Sequence, residues 1–294
     1  MDRRQFINSS AALLAAGAIS GQEMFASTTA KQNKGRIGVQ LYSIRKELPE
    51  DFVGCLKKLS AIGYALIEPY GFNGEKFLGY AMKEVSVMAK DLGMAISGTH
   101  INAQLITENT NDPKWDLWKK ISTELKSGGG KWAIQASLPG SAKTMDELKR
   151  IAEFFNCAGE ICKKNGVKFA FHNHMAEMAK IDGVVMLDYF IENTDPKLVS
   201  FQMDMGHVIN GGETNMRFMR KYPGRFPLWH ATDFDKDQRV YTELGEGSVP
   251  YKELFAQPNA GGLECLTVER THPDIFASLK LHFDYLKQFA WTKV

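Results

Sequence analysis

The most informative segment for the fold is VKFAFHNH at residues 167–174, an almost unbroken apolar run that ends in two histidines. Strands that are nearly continuous in apolar residues are typical of a parallel sheet covered on both faces. Residues two apart on a strand share a face, so His172 and His174 are expected to point the same way. The segment therefore predicts a buried parallel strand with polar, titratable side chains at its carboxyl end.

The same pattern recurs on both sides of this stretch. The predicted strands are Ile37–Tyr42, Ala65–Glu68, Met94–His100, Trp132–Ala136, Val167–His172, Val199–Asp204, Leu228–Thr232 and Leu266–Glu269. Helical periodicity fills the gaps between them, and glycines at 63, 93, 166 and 261–262 are placed to end helices before the next strand. Eight alternating units predict an α/β protein with a single (β/α)8 TIM barrel over residues 35–294, close to the ~250 residues such barrels use. A doubly wound sheet is disfavoured, because no GxGxxG motif follows the first strand.

The first 27 residues are predicted to be a signal peptide. Arg3 and Arg4 precede the apolar run 11–19, and small residues follow near Ala26. The paired arginines, with Phe6, resemble a twin-arginine signal. The alternatives are an ordinary secretory signal and an uncleaved anchor. The run is shorter than the roughly 20 residues that span a bilayer. We therefore expect an exported, periplasmic protein with no stable membrane span.

Charge and cysteine usage narrow the classes of partner. The net charge is +2 and the mature region has no basic cluster, so a nucleic-acid partner is not indicated. The four cysteines lack CxxC spacing, which disfavours a cysteine zinc site, and we expect four buried thiols: Cys55, Cys157, Cys162 and Cys265. The expected partner is a small molecule.

Titratable residues gather at the predicted carboxyl ends of the strands, which form the reactive face of a TIM barrel. They are His100, His172, His174, His207, His230, Glu68, Asp204 and Glu269. Burying an acid there is costly unless it is paired or bound to a metal. Four of these residues end adjacent strands and are predicted to converge on one divalent cation: His172, Asp204, His230 and Glu269. Mixed nitrogen and oxygen ligands suit Mn²⁺, Co²⁺, Zn²⁺ or Fe²⁺ better than Ca²⁺.

Seven short fragments at these strand ends keep a characteristic order and spacing. They are GVQLYS at 38–43, IEP at 67–69, GTH at 98–100, FHNH at 171–174, MDMGH at 203–207, HATD at 230–233 and LGEG at 244–247. Together they resemble the xylose-isomerase-like TIM-barrel superfamily of sugar phosphate isomerases and epimerases. The resemblance covers nearly all of the mature chain and is specific for the superfamily, not for a substrate. It implies a divalent metal held in part by Asp204, His230 and Glu269.

The chain departs from the superfamily at the fifth strand, where the fourth ligand is usually a glutamate. Here the candidates are His172, His174 and Glu177. An imidazole in place of a carboxylate argues against a strict two-glutamate epimerase mechanism, although histidine is a competent acid or base near neutral pH. The Phe-His-Asn-His motif resembles the branch that includes inositol-pathway dehydratase-like proteins and enzymes that act on 3-keto-sugars.

The resemblance also implies substrate contacts. The candidates are His100, Glu68, Glu177, His207, Lys236 and Tyr42. Three aromatic residues are candidates for stacking on a sugar face, with loop or helix packing as the alternative: Tyr42, Phe72 and Trp115.

The predicted function is a sugar isomerase or epimerase that removes a proton next to a carbonyl of a keto-sugar or polyol. The base is Glu269 or one of the strand-five histidines, His172 and His174, with one divalent metal as Lewis acid. Expulsion of a β-oxygen would instead make the enzyme a lyase or dehydratase, for example on a 3-keto-glycoside. A non-catalytic sugar-binding barrel is a further alternative. An abasic-site nuclease would need a basic DNA face, which the net charge of +2 opposes.

Overall fold

The computed structural model describes residues 37–73, 75–107 and 109–292. The predicted signal peptide at residues 1–27 lies outside these ranges. Within them, no helix combines the length and the apolar character needed to cross a bilayer.

Within the described ranges, nine parallel strands form a nearly closed barrel, which confirms the predicted fold. These ranges contain β1 (Ile37–Gln40), β2 (Leu66–Glu68), β3 (Ala95–Ile96), β4 (Gly98–Ile101), β5 (Trp132–Gln135), β6 (Lys168–His172), β7 (Lys180–Ile181), β8 (Val184–Val185), β9 (Val199–Asp204), β10 (Leu228–Ala231) and β11 (Cys265–Val268). The sheet order is β3-β2-β1-β11-β10-β9-β6-β5-β4, and β7 and β8 form a separate antiparallel hairpin.

The predicted single strand Met94–His100 was wrong in one respect, because the chain forms two short strands on either side of Ser97. The first, β3, pairs with β2, whereas β4 pairs with β5. At Gly98 an added Cβ would lie 2.6 Å from the carbonyl oxygen of Trp132, so only glycine allows β4 to approach β5 this closely. Because β3 and β4 are the two edge strands of the sheet and are separated only by Ser97, this switch of partners brings the edges together and nearly closes the barrel.

Helices cover the outside of the strands. They are α1 (Phe52–Ile62), α2 (Met82–Asp91), α3 (Asp116–Ser127), α4 (Met145–Lys164), α5 (Met186–Glu192), α6 (Met205–Asn210), α7 (Asn215–Lys221), α8 (Tyr251–Ala256), α9 (Pro258–Gly261) and α10 (Ile275–Leu286). The predicted helix stops at Gly63, Gly93, Gly166 and Gly262 all have positive φ, between 75° and 122°. Glycine adopts this conformation without a Cβ penalty, which explains why the helices end there.

Packing decides two of the sequence predictions. Trp115 is fully buried and stacks on Phe154 with ring centroids 5.3 Å apart, and Phe72 is also buried, so both aromatics belong to the core rather than to a sugar platform. Three of the four free thiols are buried, but Cys157 is only half-buried on α4, contrary to prediction. It lies five residues before Cys162 on the same helix, and that separation turns the two side chains toward different surroundings.

An apolar plug fills the lower part of the barrel. It consists of Trp132, Ile134, Ala170, Leu228 and Cys265. Two residues further along the same strands the inward positions become polar, as in the step from Ala170 to His172 and from Leu228 to His230. The polar layer therefore lies at the carboxyl end of the barrel, on a dry apolar floor.

Candidate metal centre

Four side chains meet at the carboxyl ends of neighbouring strands. One potential ligand atom from each of His172, Asp204, His230 and Glu269 lies within 4.8 Å of the others. The strands β6, β9, β10 and β11 that carry them are consecutive in the sheet, and His230 stands directly opposite Asp204. We call these four residues the four-donor cluster.

A buried carboxylate lies beside the cluster. Glu68, at the end of β2, is 1% exposed, and its Oε1 accepts hydrogen bonds from Gln40 Nε2 at 2.8 Å and His230 Nε2 at 2.7 Å. Its Oε2 accepts one from Gln202 Nε2 at 2.9 Å, and His100 Nε2 lies 3.1 Å from Oε1. Burial opposes the charge, but His100 and His230 together hold the pKa of Glu68 well below its usual range. The carboxylate is therefore ionised and committed to neighbouring protein groups.

Gln202 fixes the tautomer of His172. Its Oε1 accepts from His172 Nδ1 at 3.1 Å and from His100 Nε2 at 2.7 Å. Because an amide oxygen only accepts, the hydrogen of His172 lies on Nδ1 and its Nε2 keeps a free lone pair. Burial and the nearby histidines His230 and His100 lower the pKa of His172 well below 6.5, so the imidazole is neutral. A neutral ring with an oriented lone pair is the form that binds a cation.

His230 lies between two carboxylates. Its Nε2 bonds to Glu68 and its Nδ1 lies 3.0 Å from Glu269 Oε2. Burial alone would lower its pKa, yet Glu68 and Glu269 raise it to about 10. Both ring nitrogens therefore carry a hydrogen, and a cation bound by the cluster would take the place of the hydrogen on Nδ1. Glu68 would then orient the ring from behind, as carboxylates do for the histidine ligands of metals.

The donor set fits a divalent cation. Asp204 Oδ1 accepts from the backbone N–H of His207 at 2.8 Å and from the Thr232 hydroxyl at 2.5 Å. Its other oxygen, Oδ2, is buried and has no hydrogen-bond partner among the described residues. A buried carboxylate oxygen left unpaired is costly unless a cation or ligand completes it. Two imidazoles and two carboxylates suit a transition-metal ion.

Further polar side chains line the mouth above the cluster. The His174 ring lies 4.8 Å from that of His172 and 5.1 Å from that of His207, centroid to centroid. His207 lies in the first turn of α6, three residues after Asp204. Glu177 is buried, and its Oε2 accepts from the His174 backbone N–H at 2.8 Å. This bond ties Glu177 to its own turn, and burial raises its pKa.

The other predicted substrate residues fall in three different places. His100 is buried and stacks on His230 with ring centroids 5.0 Å apart, so it belongs to the hydrogen-bond network together with Glu68. Tyr42 is 44% exposed at the end of β1, edge-on to Tyr70. Lys236 is exposed on the loop that follows β10. The structure therefore brings the four proposed ligands together with His174 and His207, and it leaves Lys236 on the surface.

Sequence reasoning missed Gln40, Gln202 and Tyr241. Both glutamines interrupt apolar strands, and Gln202 lies two residues before Asp204 on the same face of β9, which was a readable signal. Tyr241 lies in an irregular loop, and no sequence spacing indicates that its hydroxyl lies 3.3 Å from His207 Nε2. Asp233, the last residue of the HATD fragment, accepts backbone N–H bonds from Phe234, Gly245, Gly247 and Val249 and so orders that loop.

Comparisons with known proteins agree with this architecture. Residues 56–291 match the family model described as xylose isomerase-like TIM barrel. An inosose dehydratase from Clostridium perfringens is 30% identical over 127 residues, a match that spans 37% of this chain and 42% of that relative. The inosose dehydratase from Geobacillus thermodenitrificans is 25% identical over 80% of this chain and 88% of its own length. Among solved structures, a sugar phosphate isomerase/epimerase from Parabacteroides distasonis has a TM-score of 0.76 and 27% identity, and covers 94% of this chain and 100% of that one.

Proposed function

The chain belongs to the xylose isomerase-like TIM-barrel family, and from this we propose that it is a metal-dependent enzyme that removes a proton next to a carbonyl of a keto-sugar or polyol. The observation that carries the proposal is the four-donor cluster within 4.8 Å, with one buried carboxylate oxygen of Asp204 left unpaired. A divalent cation bound there supplies Lewis acidity at adjacent sugar oxygens.

The proposed base is His174. Of the three candidates, His172 and Glu269 belong to the four-donor cluster, whereas His174 lies outside it, with its ring beside the rings of His172 and His207. Burial lowers the pKa of His174, which keeps the ring neutral and able to accept a proton. The Glu177 carboxylate, bonded to the His174 backbone N–H, holds the turn that presents the ring. Geometry therefore favours His174 as the group that takes the proton from carbon.

Two outcomes share this first step. Loss of a β-oxygen after proton removal gives elimination, which the similarity to inosose dehydratases favours. Return of the proton to carbon gives isomerisation or epimerisation, which the likeness to the Parabacteroides distasonis isomerase/epimerase favours. Epimerisation needs an acid or base on each face of the carbon, and the second carboxylate usual in the family is replaced here by His172. We therefore propose a lyase or dehydratase as the leading candidate and an epimerase as the second.

The test measures the shared step and the outcome separately. The metal-loaded protein is incubated in D₂O with a 3-keto-glucoside, an inosose and common ketohexoses. Deuterium incorporation reports proton removal that is followed by return of a proton to carbon, and ultraviolet absorbance of a new enone reports proton removal that is followed by elimination. Asp204→Asn and His174→Gln are expected to abolish both signals. A wild-type protein that binds sugar but shows no exchange and holds no metal would favour the sugar-binding barrel instead.

We also propose that residues 1–27 direct export to the periplasm. The pairing of Arg3 and Arg4 with a short apolar run supports the twin-arginine route, on which a protein folds before transport. Fusion of residues 1–27 to a reporter is expected to give a periplasmic product, and Arg3→Lys with Arg4→Lys to retain it in the cytoplasm. Export that is unchanged in the double variant would indicate an ordinary secretory signal.

A further inference from the structure

The loop between β10 and α8, residues 232–250, is built to hold one tyrosine in a defined position. Its two sides are joined by an antiparallel bridge between Phe234 and Tyr241 and by a hydrogen bond from Asp235 N to Val240 O at 2.8 Å. The Asp233 carboxylate accepts from Gly245 N and Val249 N, both at 3.0 Å, and so fixes the return of the loop. Tyr241 is therefore placed by backbone bonds rather than by chance packing.

The ring and the hydroxyl of Tyr241 have separate partners. The ring stacks on Phe234 with centroids 4.4 Å apart and planes at 29°, and the hydroxyl oxygen lies 3.3 Å from His207 Nε2. Burial, together with the carboxylates of Asp204 and Glu269, raises the pKa of Tyr241. The phenol is therefore protonated and keeps an O–H that can donate.

The environment of His207 indicates which atom donates. Its Nδ1 is buried and has no partner among the described residues. An N–H at that position would be a buried unpaired donor, which is more costly than a buried unpaired lone pair. The hydrogen therefore belongs on Nε2, where it is donated to the oxygen of Tyr241. This leaves the O–H of Tyr241 free to donate to another group.

We propose that the Tyr241 hydroxyl is a substrate-contacting donor, which hydrogen-bonds a hydroxyl, carbonyl or glycosidic oxygen of a sugar bound over the four-donor cluster, with His207 as its positioning residue. The inference rests on the proposed function and adds a residue to it. In an elimination, the Tyr241 hydroxyl would donate a hydrogen bond to the leaving oxygen, which gains negative charge as its bond to carbon breaks. A neutral donor aimed at such an oxygen stabilises the transition state more than the ground state.

The test compares Tyr241→Phe with Tyr189→Phe, which removes the same atom from α5, on the outside of the barrel. Tyr241→Phe keeps the ring on Phe234, so metal content is expected to match wild type and the unfolding midpoint to fall by no more than the few degrees that one lost hydrogen bond costs. We expect kcat/KM on the reactive keto-sugar to fall about 10- to 100-fold. Binding of an unreactive sugar alcohol, measured by calorimetry, is expected to weaken about 5- to 10-fold, and Tyr189→Phe to change neither quantity.

The outcomes separate the two proposals. An active wild type with an equally active Tyr241→Phe overturns the role of Tyr241 and leaves the proposed function standing. A wild type that is inactive on every sugar overturns the proposed function. Calorimetry then tests Tyr241 separately: equal affinity of wild type and Tyr241→Phe for the sugar alcohol overturns its role as a substrate contact. If Tyr241→Phe does not fold, His207→Leu removes the positioning partner instead and is expected to lower kcat/KM by at least 5-fold; wild-type kinetics in that variant overturn the inference.

Discussion

Replacing Glu68 by glutamine preserves the size of the side chain but removes one acceptor from a network that has none to spare. Glu68 Oε1 accepts from His230 Nε2 at 2.7 Å and Oε2 accepts from Gln202 Nε2 at 2.9 Å. A glutamine has one accepting oxygen, so if that oxygen faces His230 its NH₂ group faces the NH₂ group of Gln202.

Gln202 can relieve this conflict only by turning over its own amide. After that turn, the NH₂ group of Gln202 would face His172 Nδ1 and His100 Nε2. In the wild-type protein both of these nitrogens donate to Gln202 Oε1. In either arrangement a buried donor stays unpaired, at a cost of about 1–3 kcal/mol. For a domain of this size, 1 kcal/mol of destabilisation lowers the unfolding midpoint by about 2–4 °C, so the cost corresponds to a midpoint lowered by about 2–12 °C.

Metal affinity is expected to fall together with stability. Glu68 orients His230 directly and His172 through Gln202, and loss of such a rear hydrogen bond typically weakens metal binding about 10- to 100-fold. The assays are calorimetric titration of Mn²⁺ into chelator-treated Glu68→Gln and thermal unfolding of the same protein. Glu177→Gln is the matched control: it replaces another buried carboxylate, whose bond is to the backbone of His174, and is expected to keep wild-type affinity. Wild-type affinity and midpoint in Glu68→Gln would refute the account of the network.

Four further results are expected. Asp204→Asn removes the negative charge of the carboxylate whose Oδ2 has no hydrogen-bond partner among the described residues. Elemental analysis should therefore find no metal in this variant and about one ion per chain in wild type. A cation at 100 times its Kd should stabilise wild type by about 2.7 kcal/mol in thermal unfolding and leave Asp204→Asn unchanged. Asp233→Ala strands four backbone donors and should cost about 2–4 kcal/mol in urea unfolding, with faster tryptic cleavage at exposed Lys236. Because burial raises the pKa of Glu177 above 4.5, the folded state binds that proton more readily than the unfolded chain, and the contribution of Glu177 to stability falls as pH rises through the folded pKa. Glu177→Gln should therefore gain stability relative to wild type as pH rises from 4.5 through the folded pKa, and an equal pH dependence of unfolding in both proteins would contradict this.

Several features could be read from the sequence because they depend on local patterns. Strand positions followed from apolar runs bounded by glycines, and the carboxyl-end location of His172, Asp204 and His230 followed from parallel strands sharing one direction. The break at Ser97 was not readable, because it depends on which neighbour each half of the strand pairs with. The burial of Trp115 could not be predicted either, because the sequence does not indicate which side chains pack against that residue in the folded protein.

Periodicity and strand direction are properties of the chain, so the barrel, the polar layer at its carboxyl end and the residue types able to hold a cation were readable from the sequence. Which lone pairs are free to bind a ligand depends instead on how distant residues pack together. Gln202 sets the tautomer of His172, Glu68 orients His230 from behind, and a loop residue 34 positions after His207 places the Tyr241 hydroxyl beside it. Each of these contacts joins residues far apart in sequence, and hydrogen-bond direction depends on distances that no linear pattern contains.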